Sequence, residues 1–247
     1  MARMRGLVAL AFWAVPNVAF AAEGRGGASP FSLAVTLALL SLVPLVFMTT
    51  TSFVKISVVF SILRNAIGLA SVPSGTVIAA FAAILTLYVM APVGDEIRSA
   101  AAPSLARLED KGLESGAEIK LVLELIGAAR EPLRGFMERN AGKKERALFL
   151  SMAKRVRKPE QRAQVSARDF LVLLPAFLIT ELGEAFQIGF FVFLPFLVVD
   201  MIVANVLLAL GMHMLSPTTI SLPFKLLLFV MVEGWYLLSR ALVFGYA

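Results

Sequence analysis

The sequence predicts an all-α protein of the membrane class, in which apolar helical hairpins flank a charged helical insert. Two observations lead to this fold class. The 247 residues are 59% hydrophobic and only 16% charged, whereas soluble globular proteins carry about 25% charged residues. The charges are also unevenly distributed, because residues 95–169 hold 16 of the 23 basic and 12 of the 17 acidic residues. This composition disfavours an ordinary soluble enzyme.

The N-terminus predicts a cleavable signal peptide over residues 1–21. Arg3 and Arg5 precede a short apolar run over residues 7–15, which is shorter than the roughly 20 residues that span a bilayer. Small residues follow where a signal peptidase cleaves. We therefore expect cleavage before Ala22, with Ala19 and Ala21 as the small recognition residues; the alternative is a retained anchor.

Residues 22–94 are predicted to form an N-terminal apolar hairpin. Residues 31–48 are long and apolar enough for one membrane helix, and residues 77–93 form a second apolar segment. The connection between them contains Lys55 and Arg64 and no acidic residue. By the positive-inside tendency this connection faces the cytoplasm, and the insert that follows emerges on the opposite side.

Residues 95–169 form the charged insert, which we expect to be helical and to face water. Its C-terminal part is strongly basic: residues 139–168 contain ten basic residues and only two acidic ones, Glu145 and Glu160. Such a patch is compatible with nucleic acid or lipid headgroups. Aromatic residues do not alternate with the basic ones as in a single-strand binding platform, so a solvated or intersubunit surface is favoured and nucleic acid is not expected.

Residues 170–247 are predicted to form a C-terminal apolar hairpin with a turn at residues 216–219. Proline lacks a backbone donor and restricts the residue before it. Pro175, Pro195 and Pro223 are therefore expected to kink or interrupt the helices around them.

Eight ionisable residues lie in or beside the apolar regions, and their charges cancel. Charges at membrane depth cost about 2.5–3.5 kcal/mol on insertion scales, so they usually face a protein interior and pair with one another. One hypothesis is a proton relay or substrate site; the favoured one is pairing between helices or subunits that fixes their register. Asp200 and Lys225 are the first pair to test. The residues are Lys55, Arg64, Lys225, Arg240, Glu181, Glu184, Asp200 and Glu233.

A methionine-rich segment at residues 211–215 is the other unusual feature, with His213 between Met212 and Met214. Methionine is unbranched and adapts to irregular or changing surfaces, although it also fills ordinary cores. With no cysteine and one histidine, the sequence has no cluster for a metal and predicts no cofactor. No nucleophile with its base or nucleotide loop is recognisable, so we do not expect an enzyme.

Several ordered motifs resemble the FliP/SctR export-gate proteins of type III secretion. In the first half these motifs are TSFVK at 51–55, LRNAIG at 63–68 and LTLYVMAPV at 85–93. In the second half they are LPAF at 174–177, EL at 181–182, AFQIGF at 185–190, LPFL at 194–197, Asp200 and SPTTISLPFK at 216–225. The resemblance covers most of the chain except the insert.

This resemblance implies a pore subunit at the bacterial cytoplasmic membrane, through which unfolded proteins enter the needle or rod channel. Such proteins assemble as several copies with FliQ/SctS-like and FliR/SctT-like partners into a helical complex, alongside the large export-gate and switch proteins of the machine. The apolar hairpins then pack against other subunits, and hydropathy misstates their topology. The insert lies on the periplasmic side.

The resemblance also places the methionine-rich loop around the closed pore as a gasket, formed here by Met212, His213 and Met214. Because histidine replaces the central methionine, a ring of imidazoles would make gating sensitive to pH, since histidine changes charge between about pH 5 and 8. The motifs at 89–93 and 216–219 resemble the injectisome branch (SctR/YscR/HrcR-like), while the signal peptide is more typical of the flagellar branch. A small-solute or ion channel, and a membrane scaffold without a pore, remain the alternatives.

Overall fold

The computed structural model describes residues 30–69, 72–111 and 117–246, and every regular element in these ranges is a helix. The all-α prediction is therefore confirmed. The proposed signal peptide, with Ala19, Ala21 and Ala22, lies outside the described residues. The elements are α1 Pro30–Ser41, α2 Val43–Thr50, α3 Phe53–Ile67, α4 Gly75–Val89, α5 Ala91–Lys111, α6 Ala117–Asn140, α7 Lys143–Val156, a 3₁₀ helix Pro159–Gln164, α8 Phe170–Ala209, α9 Pro217–Met231 and α10 Gly234–Phe244.

The described chain divides into two compact units. One contains residues 30–43, 99–111 and 117–129, and the other contains residues 44–69, 72–98 and 130–246. The charged insert is thus not one unit, since its C-terminal part belongs with the apolar helices. The reason is packing: Phe136 and Met137 of α6 are buried in a cluster with Leu173 and Phe177 of α8.

The central helix of the larger unit is α3, although its residues were predicted only to connect two membrane segments. This assignment was wrong. Apolar residues recur at helical spacing along α3, as one face of a buried helix requires, and Ile56, Val59 and Phe60 are fully buried. The helix ends at Gly68, whose φ of +91° is readily accessible only to glycine. Helix α3 packs along α8 and α4.

Helix α8 is continuous over 40 residues, although Pro175 and Pro195 lie inside it. The prolines were expected to kink or interrupt the helix, and the structure shows that neither of them interrupts it. At 1.5 Å per residue α8 is about 60 Å long. Within the described ranges, it is the one helix that is long and apolar enough by itself to cross a membrane.

Three further pairs of consecutive helices pass the same test when each bent pair is taken as one span, so the described residues contain up to four candidate spans. One pair is α9 with α10, bent by 58° at the break between them. Glu233 occupies this break with φ of +51°, a left-handed conformation that is uncommon for a residue with a Cβ. The other pairs are residues 34–50 with α3, and α4 with residues 91–103.

The predicted turn at residues 216–219 lies earlier in the structure. Non-helical residues occupy 210–216, and Pro217 is the first residue of α9. Proline suits this first position because the backbone donor it lacks would have no helical partner there. The turn itself is formed at Gly211, as described below.

Candidate functional site

The first buried charge cluster joins α3 to α8. The Lys55 ammonium lies 3.2 Å from Glu181 Oε1 and 2.6 Å from Glu184 Oε2. Glu181 and Glu184 are three residues apart and therefore share one face of α8. Lys55 and Glu181 are 3% and 0% exposed, respectively, whereas the Glu184 side chain is 48% exposed. One cation thus serves two carboxylates, one of which reaches the surface.

Tyr246, near the C-terminus, completes this cluster. Its hydroxyl donates a hydrogen bond to Glu181 Oε2, and its ring lies below the Lys55 ammonium with 4.0 Å between Nζ and the ring centroid. Phe136 of α6 stacks on the Tyr246 ring, with 5.8 Å between the two ring centroids. A cation over an aromatic face is stabilised by the ring quadrupole. Tyr246 was not among the predicted residues, because no local sequence pattern relates this tyrosine to a lysine 191 positions earlier.

The second buried charge cluster is centred on the pair Asp200 and Lys225. Lys225 Nζ of α9 donates to Asp200 Oδ2 of α8 at 2.6 Å and to the Ala66 carbonyl of α3 at 3.2 Å. The Ser221 hydroxyl, one helical turn before Lys225, donates to Asp200 Oδ1 at 2.5 Å. Lys225 is 4% exposed. The cluster therefore connects three helices through one buried ammonium group.

Both clusters contain hydrogen bonds in addition to their ion pairs. A buried ion pair must recover the desolvation of both charges through good geometry and additional hydrogen bonds. Tyr246 supplies such a bond in the first cluster, and Ser221 with the Ala66 carbonyl supplies them in the second. Each of the three carboxylates of α8 thus has a lysine partner, with Lys55 shared by Glu181 and Glu184.

Three of the eight predicted residues are not joined in this way. Among the residues that the structure describes, Arg64, Glu233 and Arg240 form no ion pair. Arg64 is half-buried in the last turn of α3. The guanidinium of Arg240 lies 5.6 Å from the centroid of the Phe244 ring. Glu233 is exposed at the break between α9 and α10.

The methionine-rich loop follows the C-terminus of α8 and begins with a Schellman motif. Gly211 has φ of +73°; its N–H donates to the Leu208 carbonyl at 3.0 Å, and the Met212 N–H donates to the Leu207 carbonyl at 2.9 Å. These two bonds satisfy carbonyls at the helix end and turn the chain sharply. The loop therefore leaves α8 in a defined direction.

The side chains of this loop are exposed. Met212 is 45% and Met214 98% exposed, and His213 is also exposed. In the single chain, these methionines therefore do not fill a hydrophobic core. A flexible thioether that meets water in the single chain is suited to contact another surface.

The sequence profile of the FliP family matches residues 36–242, which include both charge clusters except Tyr246, and the whole methionine-rich loop. The chain belongs to the FliP family. This family assignment confirms the resemblance found in the sequence motifs.

Three curated relatives of this FliP family chain illustrate the match. The hypersensitivity response secretion protein HrcR of Ralstonia nicotianae is 40% identical over 215 residues, covering 87% of this chain and 96% of the relative. The Yop proteins translocation protein R of Yersinia pestis is 40% identical over 218 residues, covering 87% and 95%. The flagellar biosynthetic protein FliP of Bacillus subtilis is 37% identical over 227 residues, covering 92% and 96%.

Proposed function

We propose that this FliP family protein is a core subunit of a type III secretion export gate, and that it forms the pore through which unfolded proteins pass from the cytoplasm into the needle or rod channel. The names of its relatives support this function, since HrcR is a secretion protein and the Yersinia relative a translocation protein. The membrane character of α8 supports a location in the cytoplasmic membrane.

The observation that carries the pore assignment is the exposed loop formed by Met212, His213 and Met214. The Schellman motif at Gly211 holds this loop at the end of a long helix, and its side chains have no packing partner comparable to a core. In a ring of subunits, adaptable thioethers from several copies can close a narrow passage and yield to a passing chain. This is how we propose that the loop seals the pore.

The apolar surface of α8 supports assembly with other subunits. Phe186, Phe190 and Phe191 are each at least 60% exposed in the single chain. A contiguous apolar surface of this kind is covered either by lipid or by protein. We propose that it packs against further copies of this chain and against FliQ/SctS-like and FliR/SctT-like partners, within a machine that also contains the large export-gate and switch proteins.

The proposed orientation places the charged insert on the periplasmic side. The positive-inside tendency supports this orientation less than expected, because Lys55 is a buried and paired residue of α3 and not a free charge in a loop. The positive-inside tendency concerns charges in the loops that flank membrane segments. The predicted signal peptide over residues 1–21 is the main support for this orientation.

Co-purification tests the assignment directly. The tagged chain is expressed together with its SctS-like and SctT-like neighbours, and the mass of the intact complex is measured after mild solubilisation. We expect one stable complex with several copies of this chain. An unrelated membrane protein carrying the same tag serves as the control. Recovery of this chain as a monomer without either partner would contradict the proposal.

We favour the injectisome branch over the flagellar one, because the two secretion relatives are each 40% identical to this chain and the flagellar FliP is 37% identical. Complementation separates the two branches. We expect the gene to restore injectisome secretion in a strain lacking its own SctR protein, and to leave a strain lacking flagellar FliP non-motile. The opposite pattern would assign the chain to flagella.

A further inference from the structure

The first buried charge cluster carries more negative than positive charge. Among the described residues, Lys55 is the one cation that pairs with Glu181 and Glu184, at 3.2 Å and 2.6 Å. Glu181 is 0% exposed and also accepts the hydrogen bond of the Tyr246 hydroxyl, so its oxygens have partners on both sides. The Glu184 side chain is 48% exposed. The excess negative charge of the cluster is therefore accessible at Glu184.

Glu184 lies at the edge of an exposed apolar surface of α8. Gln187 and Phe191 follow it at three and seven residues, and so share its side of the helix. Phe191 is 70% and Phe190 60% exposed. A subunit that covers this apolar surface also removes Glu184 from water. A carboxylate buried in this way is costly unless a cation accompanies it, so the covering surface must carry one.

Helix α10 presents a face with this complementary charge. Tyr236, Arg240 and Phe244 are spaced by four residues and lie on one side of the helix, whereas Leu238 and Leu242 are buried on the other. Tyr236 is 62% and Phe244 63% exposed. Arg240 is exposed between them and forms no ion pair with another described residue. Its guanidinium lies 5.6 Å from the centroid of the Phe244 ring. The face is thus aromatic with a central cation.

The charges that remain in the apolar helices balance only between molecules. The excess charge at Glu184 and the carboxylate of Glu233 match two cations, Arg64 and Arg240, which have no ion-pair partner in the described part of the chain. Arg64 is half-buried, and its Nε atom is inaccessible, so Arg240 is the accessible cation. Glu233 precedes Arg240 by seven residues, about 10 Å along one helix axis, which is too far for a pair within α10.

We propose that Glu184 of one copy pairs with Arg240 of the next copy in the assembled gate. The exposed face of α10 then packs on the exposed phenylalanines of α8, and the charge in each surface meets its opposite. A guanidinium can hold a carboxylate through two parallel hydrogen bonds, so the pair also fixes the orientation of the two copies. This inference rests on the proposed assembly of several copies and names the surfaces that meet.

The two surfaces differ, and this determines the type of assembly. A contact between unlike surfaces is head-to-tail and leaves each copy with one free surface of each kind, so that a ring closes when the rotation permits. A contact between two α10 faces, with Arg240 opposite Glu233 of a second copy, would instead be two-fold and would end at a dimer. A pore lined by several copies requires the first arrangement.

Charge removal tests the pair in the complex with the SctS-like and SctT-like partners. Glu184→Gln and Arg240→Gln should each lower the yield of the multi-copy complex several-fold. The double variant should lose no more than the worse single variant, because both changes break the same contact. Glu233→Gln, which removes an exposed carboxylate from the break before α10, is the matched control and should keep the normal yield. Thermal midpoints of the single chains near that of the unaltered chain show that each variant folds.

Cross-linking identifies the copies that meet, and the chain has no native cysteine that would compete. A chain with Glu184→Cys and one tag is co-expressed with a chain that has Arg240→Cys and another tag, together with the partners. A short bismaleimide should give a dimer that carries both tags, while neither variant alone should give a dimer. Val156→Cys, at an 88% exposed position of α7, replaces Arg240→Cys in the control and should not cross-link to Glu184→Cys.

The outcomes separate this pair from the export-gate function. A multi-copy complex without the two-tag dimer would overturn the pair and leave the gate intact. A dimer formed by Arg240→Cys alone would show the two-fold contact and would also overturn it. A double variant with an additive loss of yield would mean that another subunit supplies the cation to Glu184. If the unaltered chain forms no multi-copy complex, both the pair and the proposed assembly are wrong.

Discussion

At the scale of single residues, the chain separates two uses of charge. Lys55 and Lys225 are buried and have several partners each, while Lys144, Lys154 and Arg155 of α7 are exposed. Burial makes the first group expensive to disturb, because a lone charge in a low-dielectric interior is costly. Exposure makes the second group available for recognition and sensitive to salt.

The Asp200 and Lys225 pair is predicted to be essential for stability. Asp200→Ala leaves the Lys225 ammonium buried without its carboxylate, and such a change costs about 3–5 kcal/mol. We expect a lower thermal midpoint, reduced yield of the assembled gate and impaired secretion. Adding Lys225→Met should restore part of the lost stability, because it removes the unpaired charge.

The exposed pair Asp95 and Arg98, with 3.3 Å between their charged atoms, is the matched control for this experiment. Asp95→Ala should change the thermal midpoint little, since surface ion pairs contribute about 0–1 kcal/mol. If Asp200→Ala behaves like Asp95→Ala, with normal complex yield and secretion, the second buried cluster has no role in register.

Tyr246 is predicted to stabilise the first buried cluster through its hydroxyl. Tyr246→Phe keeps the ring on Phe136 but removes the donor to Glu181, and a hydrogen bond to a charged group contributes about 1.5–3 kcal/mol. Thermal unfolding in detergent should show a lower midpoint for this variant. Tyr236→Phe is the control, because Tyr236 is 62% exposed; equal midpoints for both variants would argue against the role of Tyr246.

At the scale of elements, the packing of α3 on α8 depends on a close approach at Gly189. Gly189 is buried, and a Cβ at this position would overlap the side chain of Ile62. Gly183 lies on the same helix with open space at its Cβ position. A side chain can therefore be added at Gly183 without a clash, whereas at Gly189 it would displace Ile62.

Gly189→Ala is predicted to destabilise the chain, since inserting atoms into a packed contact costs about 1–3 kcal/mol. Gly183→Ala should be neutral or stabilising by up to about 1 kcal/mol, because alanine favours helix over glycine. Thermal midpoints of the two variants provide the comparison. A midpoint for Gly189→Ala at or above that of Gly183→Ala would mean that α3 and α8 are not packed closely here.

The methionine-rich loop is the element on which the pore proposal depends. Met212→Ala with Met214→Ala should make the assembled gate leak ions or small solutes, because alanine is too short to fill the passage, while assembly remains normal. Met201→Ala with Met231→Ala changes two exposed methionines outside the loop and should leave the gate tight. Leakage is measured in vesicles that contain the purified complex. If the variant with Met212→Ala and Met214→Ala does not leak, the loop does not seal the pore.

At the scale of the whole molecule, the apolar excess serves surfaces as well as a core. Many large apolar side chains of α8, α9 and α10 are exposed in the single chain, and the buried charges Glu181 and Lys225 have partners within the chain. Such a molecule is incomplete when alone, because its exposed apolar surface needs lipid or other subunits.

Conductance separates the export gate from a small-solute or ion channel. Vesicles that contain this chain alone should not leak ions or small solutes. Vesicles that contain the assembled gate with Met212→Ala and Met214→Ala should leak. A channel that functions by itself would conduct when reconstituted without partners. Vesicles with the partner proteins alone are the control for leakage that does not involve this chain.

The sequence was sufficient for the class of the molecule and for its family. Hydropathy and charge distribution are summed along the chain, so they require no knowledge of contacts. They predicted the all-α membrane character, and ordered motifs identified the family. The same one-dimensional reasoning failed for α3, whose buried lysine resembles a loop charge, and it did not show that α8 continues through Pro175 and Pro195.

Only the tertiary structure decided which charges meet, and this is the physical limit of reading the sequence. Asp200 and Lys225 were singled out in advance, but the Ala66 carbonyl that accepts from Lys225 and the Tyr246 hydroxyl that donates to Glu181 come from distant segments. The sequence determines which charged side chains lie in apolar helices and therefore need a partner. The packing of α3, α8 and α9 determines which partner each one has, because an ion pair forms only where the fold brings both charges within a few ångströms.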